Sequence, residues 1–363
     1  MRRAIQLADK GAGYVSPNPL VGCVIVNKNG ELIGKGYHER IGQAHAEINA
    51  LDSIKDRSEL VDATMYVTLE PCAHHGKTPP CADAISKLPF KRVVVALGDP
   101  NPNVNGKGIE RIRKAGIQVD SGLLEEKAQA QNEVFLHWIR FGKPFVILKI
   151  AQTLDGYIAA PDGSSQWITG KESRTKVHEW RGRYDAVMVG RRTAIKDNPK
   201  LTLRHTEGRQ PFRVVIDGNL ELPRELNLFS DQFEEKTIVI THNEKAFNEK
   251  ADPMLSLLSR DYFRGKTLLV KNRDGHSDLD QAFRQLGEAG ITSVFVEAGR
   301  DLATALIRQN LVDKFHLFIA PKMLGGGTKS VQGLGLESMS QAFGLKKTSW
   351  EQTGDDLLFT GYF

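Results

Sequence analysis

The sequence predicts an α/β protein built as two units in tandem, with a boundary near residue 143. Three observations lead there. A chain of 363 residues is longer than one typical core accommodates. Runs of β-branched residues alternate with stretches of helical spacing along the whole length, the pattern of α/β sheets with at least some parallel strands. Gly142-Lys143-Pro144 ends a helical stretch and a fresh strand pattern starts at once. Units 1–143 and 144–363 are therefore expected to meet at a tight junction, with no low-complexity linker and no internal repeat.

In the first unit a short helix is expected over residues 2–10, then the turn-rich Ser16-Pro17-Asn18-Pro19 and a strand over 21–26. Asn29-Gly30 is a hairpin signal leading into 31–37. A helix from His45, a strand over 64–69, a helix after Pro80 and a strand over 92–97 follow. A helix over 106–115, a short strand over 117–119 and one long closing helix over 123–140 complete it. In the second unit strand patterns lie at 145–151, 186–189, 213–216, 237–240, 267–270, 294–296 and 315–319. Helical patterns lie near 171–181, 279–288 and 302–308.

Composition narrows the function classes. No stretch reaches the roughly 18–20 consecutive apolar residues of a membrane span, and the first 30 residues lack a secretory pattern. Three cysteines cannot build a disulfide framework, so a reducing cytoplasm is expected. The formal charge is +5, with basic and acidic residues interleaved and no dense basic tract. That balance leaves open both nucleic acid and a phosphorylated small molecule, which also needs Lys and Arg.

The strongest chemical signal is His45-Ala46-Glu47, followed by Pro71-Cys72 and Cys81. One imidazole and two thiolates supply three tetrahedral zinc ligands and leave the fourth position for water, as catalytic zinc requires. Glu47, two residues from His45 at a helix start, is placed to move protons without being a ligand. The bland alternative is a structural zinc completed by His74 or His75. Taken singly, His and Cys residues mostly pack, and Cys23 within an apolar strand is read that way.

This pattern resembles the cytidine-deaminase superfamily, with the usual two-residue gap between the cysteines widened to the eight residues 73–80. With 16–22, Gly34-Lys35-Gly36-Tyr37-His38 and Gly98-Asp99-Pro100-Asn101-Pro102, it is similar to the bifunctional riboflavin-biosynthesis deaminase/reductase family of bacteria. The resemblance implies a cytidine-deaminase-like α/β/α sandwich with zinc on His45, Cys72 and Cys81 and with Glu47 as catalytic residue. Lys77 and Thr78 would grip substrate, and Asn18 would orient its pyrimidine; Asn18 and Asn101 also suit plain turns.

The second unit lacks a Gly-x-Gly-x-x-Gly fingerprint. Its stretch Val294-Phe295-Val296-Glu297-Ala298-Gly299 is a strand and glycine turn before a helix start, which can hold a phosphate. In order, 149–156, 165–169, 197–202 and 296–299 resemble the reductase half of the same family, from about residue 144 to the end. That resemblance implies a dihydrofolate-reductase-like fold using NADPH. Ala151, Trp167, Thr193, Asp197, Gly218 and the turn Gly299, Arg300, Asp301, Leu302, Ala303, Thr304 and Ala305 would line the cofactor. Ser165, Arg181, Leu201, Arg204 and Glu297 would meet substrate, with Asp197 as proton relay and Arg181 and Arg204 on the 5′-phosphate. The basic pair Arg191-Arg192 is a further candidate for the 2′-phosphate of NADPH, or else exposed charge.

The function expected is therefore zinc-dependent deamination of 2,5-diamino-6-(5-phosphoribosylamino)pyrimidin-4(3H)-one. NADPH-dependent reduction of the ribosyl chain of 5-amino-6-(5-phosphoribosylamino)uracil would follow. A homo-oligomer is expected, without nucleic-acid or membrane partners. The rivals are a nucleic-acid base deaminase and an inactive zinc-bearing binding module.

Overall fold

The computed structural model describes residues 1–73, 79–101, 104–204, 206–251 and 264–363. The chain divides into two compact units, Met1–Gly142 and Lys143–Phe363.

The first unit holds strands β1 (Gly22–Val26), β2 (Leu32–Tyr37), β3 (Ala63–Leu69), β4 (Phe90–Leu97) and β5 (Gln118–Ser121) in the order β2-β1-β3-β4-β5. The β1–β2 hairpin and the β1–β3 pair are antiparallel, whereas β3, β4 and β5 run parallel. Its helices are α1 (Arg2–Ala8), α2 (Ala46–Asp52), α3 (Cys81–Ser86), α4 (Lys107–Lys114), α5 (Glu125–Gln131) and α6 (Glu133–Phe141). Strand alternation sends Cys23, Ile25, Met65, Val67, Val93 and Val95 to one face. There they meet Ala46 and Ala50 of α2, Ala82 and Ile85 of α3, and Ile112 of α4. A separate cluster joins Leu69, Ala96 and Leu97 to Ala128, Phe135 and Leu136 of α5 and α6. The result is a three-layer α/β/α sandwich.

Gly36 decides how α2 is seated. A Cβ there would lie 2.4 Å from the backbone nitrogen of Ala50 and 2.6 Å from the carbonyl oxygen of Ala46. Backbone therefore packs on backbone, and His45, the N-cap residue of α2, is held at a defined height above β2.

The single long helix expected over 123–140 is two helices, broken at Asn132. Asn132 leaves helical geometry (φ −103°, ψ 18°) and turns its amide inward. Its Oδ1 accepts from the Leu20 N–H at 2.8 Å, and its Nδ2 donates to the Leu20 carbonyl at 3.0 Å. Apolar periodicity continues through this residue, so the break is set by a tertiary bond and not by local pattern.

The second unit carries a nine-stranded sheet. Its strands are β6 (Phe145–Thr153), β8 (Ala186–Gly190), β9 (Phe212–Ile216), β10 (Thr237–Thr241), β11 (Lys266–Leu269), β14 (Ser293–Glu297), β15 (Lys314–Ala320), β17 (Lys346–Thr353) and β18 (Asp356–Tyr362). The order is β11-β10-β9-β8-β14-β6-β15-β18-β17. Pairing is parallel from β11 to β15 and antiparallel at β15–β18 and β18–β17. Two small pairs accompany it: β7 (Tyr157–Ala159) with β16 (Thr328–Lys329), and the hairpin β12 (Asn272–Arg273) with β13 (His276–Ser277).

The helices Leu279–Glu288 and Arg300–Arg308 cover one face of the sheet through Ala282, Phe283, Leu286, Ala303, Leu306 and Ile307. Helix α7 (Lys171–Arg183) brings Trp180 onto Phe295, His316 and Phe318. Helix α8 (Arg191–Asp197) follows β8 directly. Sequence patterning does not reveal the terminal hairpin, because β17 reads Lys-Lys-Thr-Ser-Trp-Glu-Gln-Thr and buries only Thr353. It is a polar edge strand recognised by its ladder to β18 and not by alternation. Among the described residues no helix is long and apolar enough to cross a membrane.

Candidate functional site

In the first unit the chemistry gathers at the C-terminal ends of the parallel strands. Cys72 lies three residues beyond β3, Cys81 opens α3, and His45 caps α2 in extended backbone. The three ligand atoms lie within 4.8 Å of one another, with His45 Nδ1 at 3.6 Å from Cys72 Sγ and 3.3 Å from Cys81 Sγ. Zinc with bonds of about 2.0 Å to nitrogen and 2.3 Å to sulfur sets a tetrahedral N···S edge of about 3.5 Å. The donor set therefore fits tetrahedral zinc in spacing as well as in chemistry.

Proton affinities in the cluster agree. Hydrogen bonds from the Cys81 thiol and from His45 pull Cys72 down to about 4, making it the thiolate. The bond to Cys72 raises the His45 imidazole. The same sharing with Cys72, with burial, pushes Cys81 up. A dication competes for these sites by displacing protons.

Glu47, in the first turn of α2, is 3% exposed and hydrogen-bonded to Cys81; burial pushes its carboxyl up to about 6. It stands beside the three ligands, and the charge of His45 partly offsets the effect of burial. His38, which sequence reasoning left as part of a motif, is buried edge-on to the His45 ring at 5.5 Å. Burial lowers its affinity for a second proton, so Nδ1–H donates to the Ala44 carbonyl and Nε2 accepts from Asn18 Nδ2 at 3.2 Å. Asn18 is thus oriented by His38 and is more than a turn-former. Lys77 and Thr78, with His74 and His75, lie outside the described residues.

In the second unit one cleft of about 2380 Å³ runs along the sheet. That exceeds the ~300–1,000 Å³ of a single small-ligand pocket, leaving room for a dinucleotide and a substrate together. Of the residues expected at the cofactor, Ala151, Trp167, Thr193, Asp197, Gly299, Arg300, Asp301, Leu302, Thr304 and Ala305 line it. Of those expected at substrate, Ser165, Arg181, Arg204 and Glu297 do.

Three expected residues are placed elsewhere. Ala303 is fully buried against the sheet, because it lies on the core side of the helix that starts at Arg300. Leu201 is 2% exposed and held in left-handed backbone at φ 51°. Gly218 sits against the His242 ring, where a Cβ would come within 2.4 Å.

Two kinds of group line the cleft. Gly299 caps the helix Arg300–Arg308 with no side-chain cap, leaving the first N–H groups of that helix available to an anion. Two residues before Gly299, Glu297 accepts from Arg181 Nε at 2.6 Å, and Arg181 Nη1 donates to the Thr202 carbonyl at 3.2 Å. Burial alone would raise Glu297, but Arg181 and Lys149 outweigh it and hold the carboxyl below its usual range. Lys149, unassigned from sequence, is pushed down by burial, and Glu297 opposes that shift. A single Lys inside Phe145-Val146-Ile147-Leu148-Lys149-Ile150 was the available signal. Arg174 stacks over Trp167 at 4.5 Å, so the ring presented to the cleft has a cation behind it.

Asp197, the last residue of α8, is raised by desolvation. The basic pair is already engaged. Arg191 meets Glu221 at 2.7 Å and Asp217 at 3.7 Å, and Arg192 pairs with Asp301.

Comparison with known proteins agrees with this geometry. Residues 144–359 match the model of the RibD C-terminal domain, and residues 1–97 match the zinc-binding region of cytidine and deoxycytidylate deaminases. The riboflavin biosynthesis protein RibD of Actinobacillus pleuropneumoniae is 42% identical over 99% of this chain and 93% of its own length. That of Aquifex aeolicus is 43% identical over 99% and 96%. A solved structure of Acinetobacter baumannii RibD superposes with a TM-score of 0.86 at 35% identity, covering 99% of this chain and 97% of the other. The deaminase/reductase of Thermotoga maritima gives a TM-score of 0.87 at 38% identity, covering 100% and 97%. The cytidine-deaminase-like and dihydrofolate-reductase-like fold assignment stands with them. A zinc-type cluster in one unit, a dinucleotide-sized cleft in the other, and full-length similarity lead to one conclusion: this chain belongs to the RibD family of bifunctional deaminase/reductase enzymes of riboflavin biosynthesis.

Proposed function

We propose that the first unit removes the exocyclic 2-amino group of 2,5-diamino-6-(5-phosphoribosylamino)pyrimidin-4(3H)-one. The second unit would then reduce the ribosyl chain of the resulting 5-amino-6-(5-phosphoribosylamino)uracil. The observation that carries this reading is the cluster of His45, Cys72 and Cys81 with the buried carboxylate of Glu47 beside it.

When bound by the three ligands, zinc supplies a water whose acidity is near neutral. Glu47 would be the proton carrier: its carboxylate would take the two protons of the attacking water in turn, passing one to the ring nitrogen and the other to the amino group that leaves as ammonia. Asn18, held by His38, orients the pyrimidine. Water and the aminopyrimidine become the pyrimidinedione and ammonia.

When bound in the cleft, NADPH supplies hydride. Its acceptor is C1′ of the opened ribosylamine, and the amine nitrogen takes a proton. Asp197 and Lys149 are the two groups of the wall with shifted affinities suited to that proton. The exposed cations Lys171 and Arg204 suit the 5′-phosphate, while Arg181 is committed to Glu297 and braces it.

Incubation with the diaminopyrimidine phosphate tests the whole reading. Ammonia is expected without NADPH, and NADPH oxidation only after deamination. Metal analysis is expected to give about one zinc per chain, lost in Cys81→Ser; unchanged zinc in that variant would remove Cys81 from the ligand set. A nucleic-acid base as the true substrate would instead show activity on RNA that falls steeply with salt.

The three cysteines are free, which suits a reducing cytoplasm. A homo-oligomer completes the proposal, because edge strand β17 leaves Trp350 61% exposed on an otherwise polar strand. A monomer in sedimentation velocity would overturn that part.

A further inference from the structure

Glu70 is a buried carboxylate that the chemistry above does not use. It follows β3 directly and precedes Pro71 and the ligand Cys72. Only 4% of it is exposed, and four backbone N–H groups donate to it. Oε1 accepts from Gly108 at 2.9 Å and Ile109 at 3.3 Å. Oε2 accepts from Gly106 at 3.0 Å and Asp99 at 3.4 Å. Gly106 is the N-cap position of α4, and it has no side chain with which to cap. Glu70 therefore does from another element what a capping side chain ordinarily does. It satisfies the orphan N–H groups of the first turn and places negative charge at the positive end of the helix.

The bond to Asp99 makes this more than a helix cap. Strands β3 and β4 are parallel, with Leu69 opposite Leu97, so the segments leaving them lie side by side on the edge that carries Cys72. Asp99 starts the segment leaving β4, and its Oδ1 accepts from the Asn101 N–H at 2.9 Å. Glu70 thus grips that connection at both ends, at Asp99 and again at Gly106 through Ile109. The far side of the grip is equally tight: a Cβ on Gly108 would lie 1.9 Å from the Pro71 carbonyl oxygen. Helix α4 is pressed onto the residue beside the metal ligand, and no side chain fits between them.

We propose that Glu70 is a positioning residue of the deaminase, locking the Asp99–Asn101 segment beside the Cys72 loop so that the segment forms a wall for the pyrimidine substrate. This rests on the deaminase reading above. Its signature is a split between binding and turnover, because Glu70 touches neither the ligand atoms nor the Glu47 carboxylate in this arrangement.

The test is steady-state deamination by full-length, zinc-loaded enzyme, with NADPH oxidation by the second unit of the same chain as internal control. In Glu70→Gln one oxygen becomes an NH2 facing N–H donors. Zinc is expected to stay near one per chain and reductase activity to be unchanged. KM for the aminopyrimidine is expected to rise roughly tenfold or more, with kcat within about threefold, as the loss of charge-assisted bonds implies. Glu70→Asp keeps the charge on a shorter arm and is expected to fall between the two. Hydrogen exchange at Gly106, Gly108 and Ile109 should quicken at least about tenfold in Glu70→Gln.

A wild-type KM in both variants overturns the proposal. So does loss of zinc in both, which would make Glu70 a support for the ligand loop. If the wild-type enzyme releases no ammonia, the deaminase reading is what fails. The exchange measurement then still decides the clamp, and unaltered exchange overturns it.

Discussion

Glu47→Gln is expected to abolish practical ammonia release, with turnover falling by ~10²–10⁴-fold, the usual worth of a positioned proton carrier. The substitution is close to isosteric, and Glu47 lies in the first turn of α2, buried beside Cys81 and away from solvent. An amide fills the same volume, so α2 keeps its seat on Gly36 and the zinc ligands keep their spacing. What is lost is the cycle of accepting and releasing a proton. Zinc content is expected to stay near one per chain, and NADPH oxidation with the deaminated intermediate to match the parent enzyme. Ammonia release at more than about a tenth of the parent rate would take Glu47 out of the mechanism.

Asp197→Asn is expected to do the converse, lowering NADPH oxidation by ~10²-fold or more while sparing deamination, so that the deaminated ribosyl compound accumulates. Asp197 ends α8, lines the cleft, and has its carboxyl raised by desolvation, which lets it hold a proton closer to neutral pH than an ordinary Asp. Lys149 is the competing group. It lies deeper, next to Glu297 and Arg181, and burial pushes its ammonium towards release. Single-turnover reduction separates the two. If Asp197→Asn reduces at the parent rate and Lys149→Met does not, the relay belongs to Lys149 and Asp197 is a helix end. Loss in both variants would point to a relay through the two groups together.

The sequence by itself determined the α/β class, nearly every central strand, and the zinc-type set of His45, Cys72 and Cys81 with Glu47. Each of these rests on local pattern: β-branched runs, a helix start after an extended residue, and donor types at motif spacing. The reductase residues Ser165, Trp167, Arg181, Asp197 and Glu297 came from family resemblance and not from local pattern; all five line one cleft.

Only the tertiary structure decided the features that depend on partners far along the chain. Asn132 breaks a helix because Leu20, 112 positions away, offers both an N–H and a carbonyl. Lys149 gains its character first from burial in the fold, which Glu297 opposes and Arg181 reinforces from other elements. Arg191 and Arg192, which the sequence offers as free cations for a phosphate, are paired with Glu221, Asp217 and Asp301. Glu70 reads as an ordinary acid at a strand end until four N–H groups from residues 29 to 39 positions away converge on it. For Asn132, Lys149 and Glu70 the physical reason is burial: a polar side chain taken out of water must find its partners in the fold, and such partners are set by packing, which no window of neighbouring residues contains. Arg192 is an exposed cation, and its partner too is set by where the fold places another element.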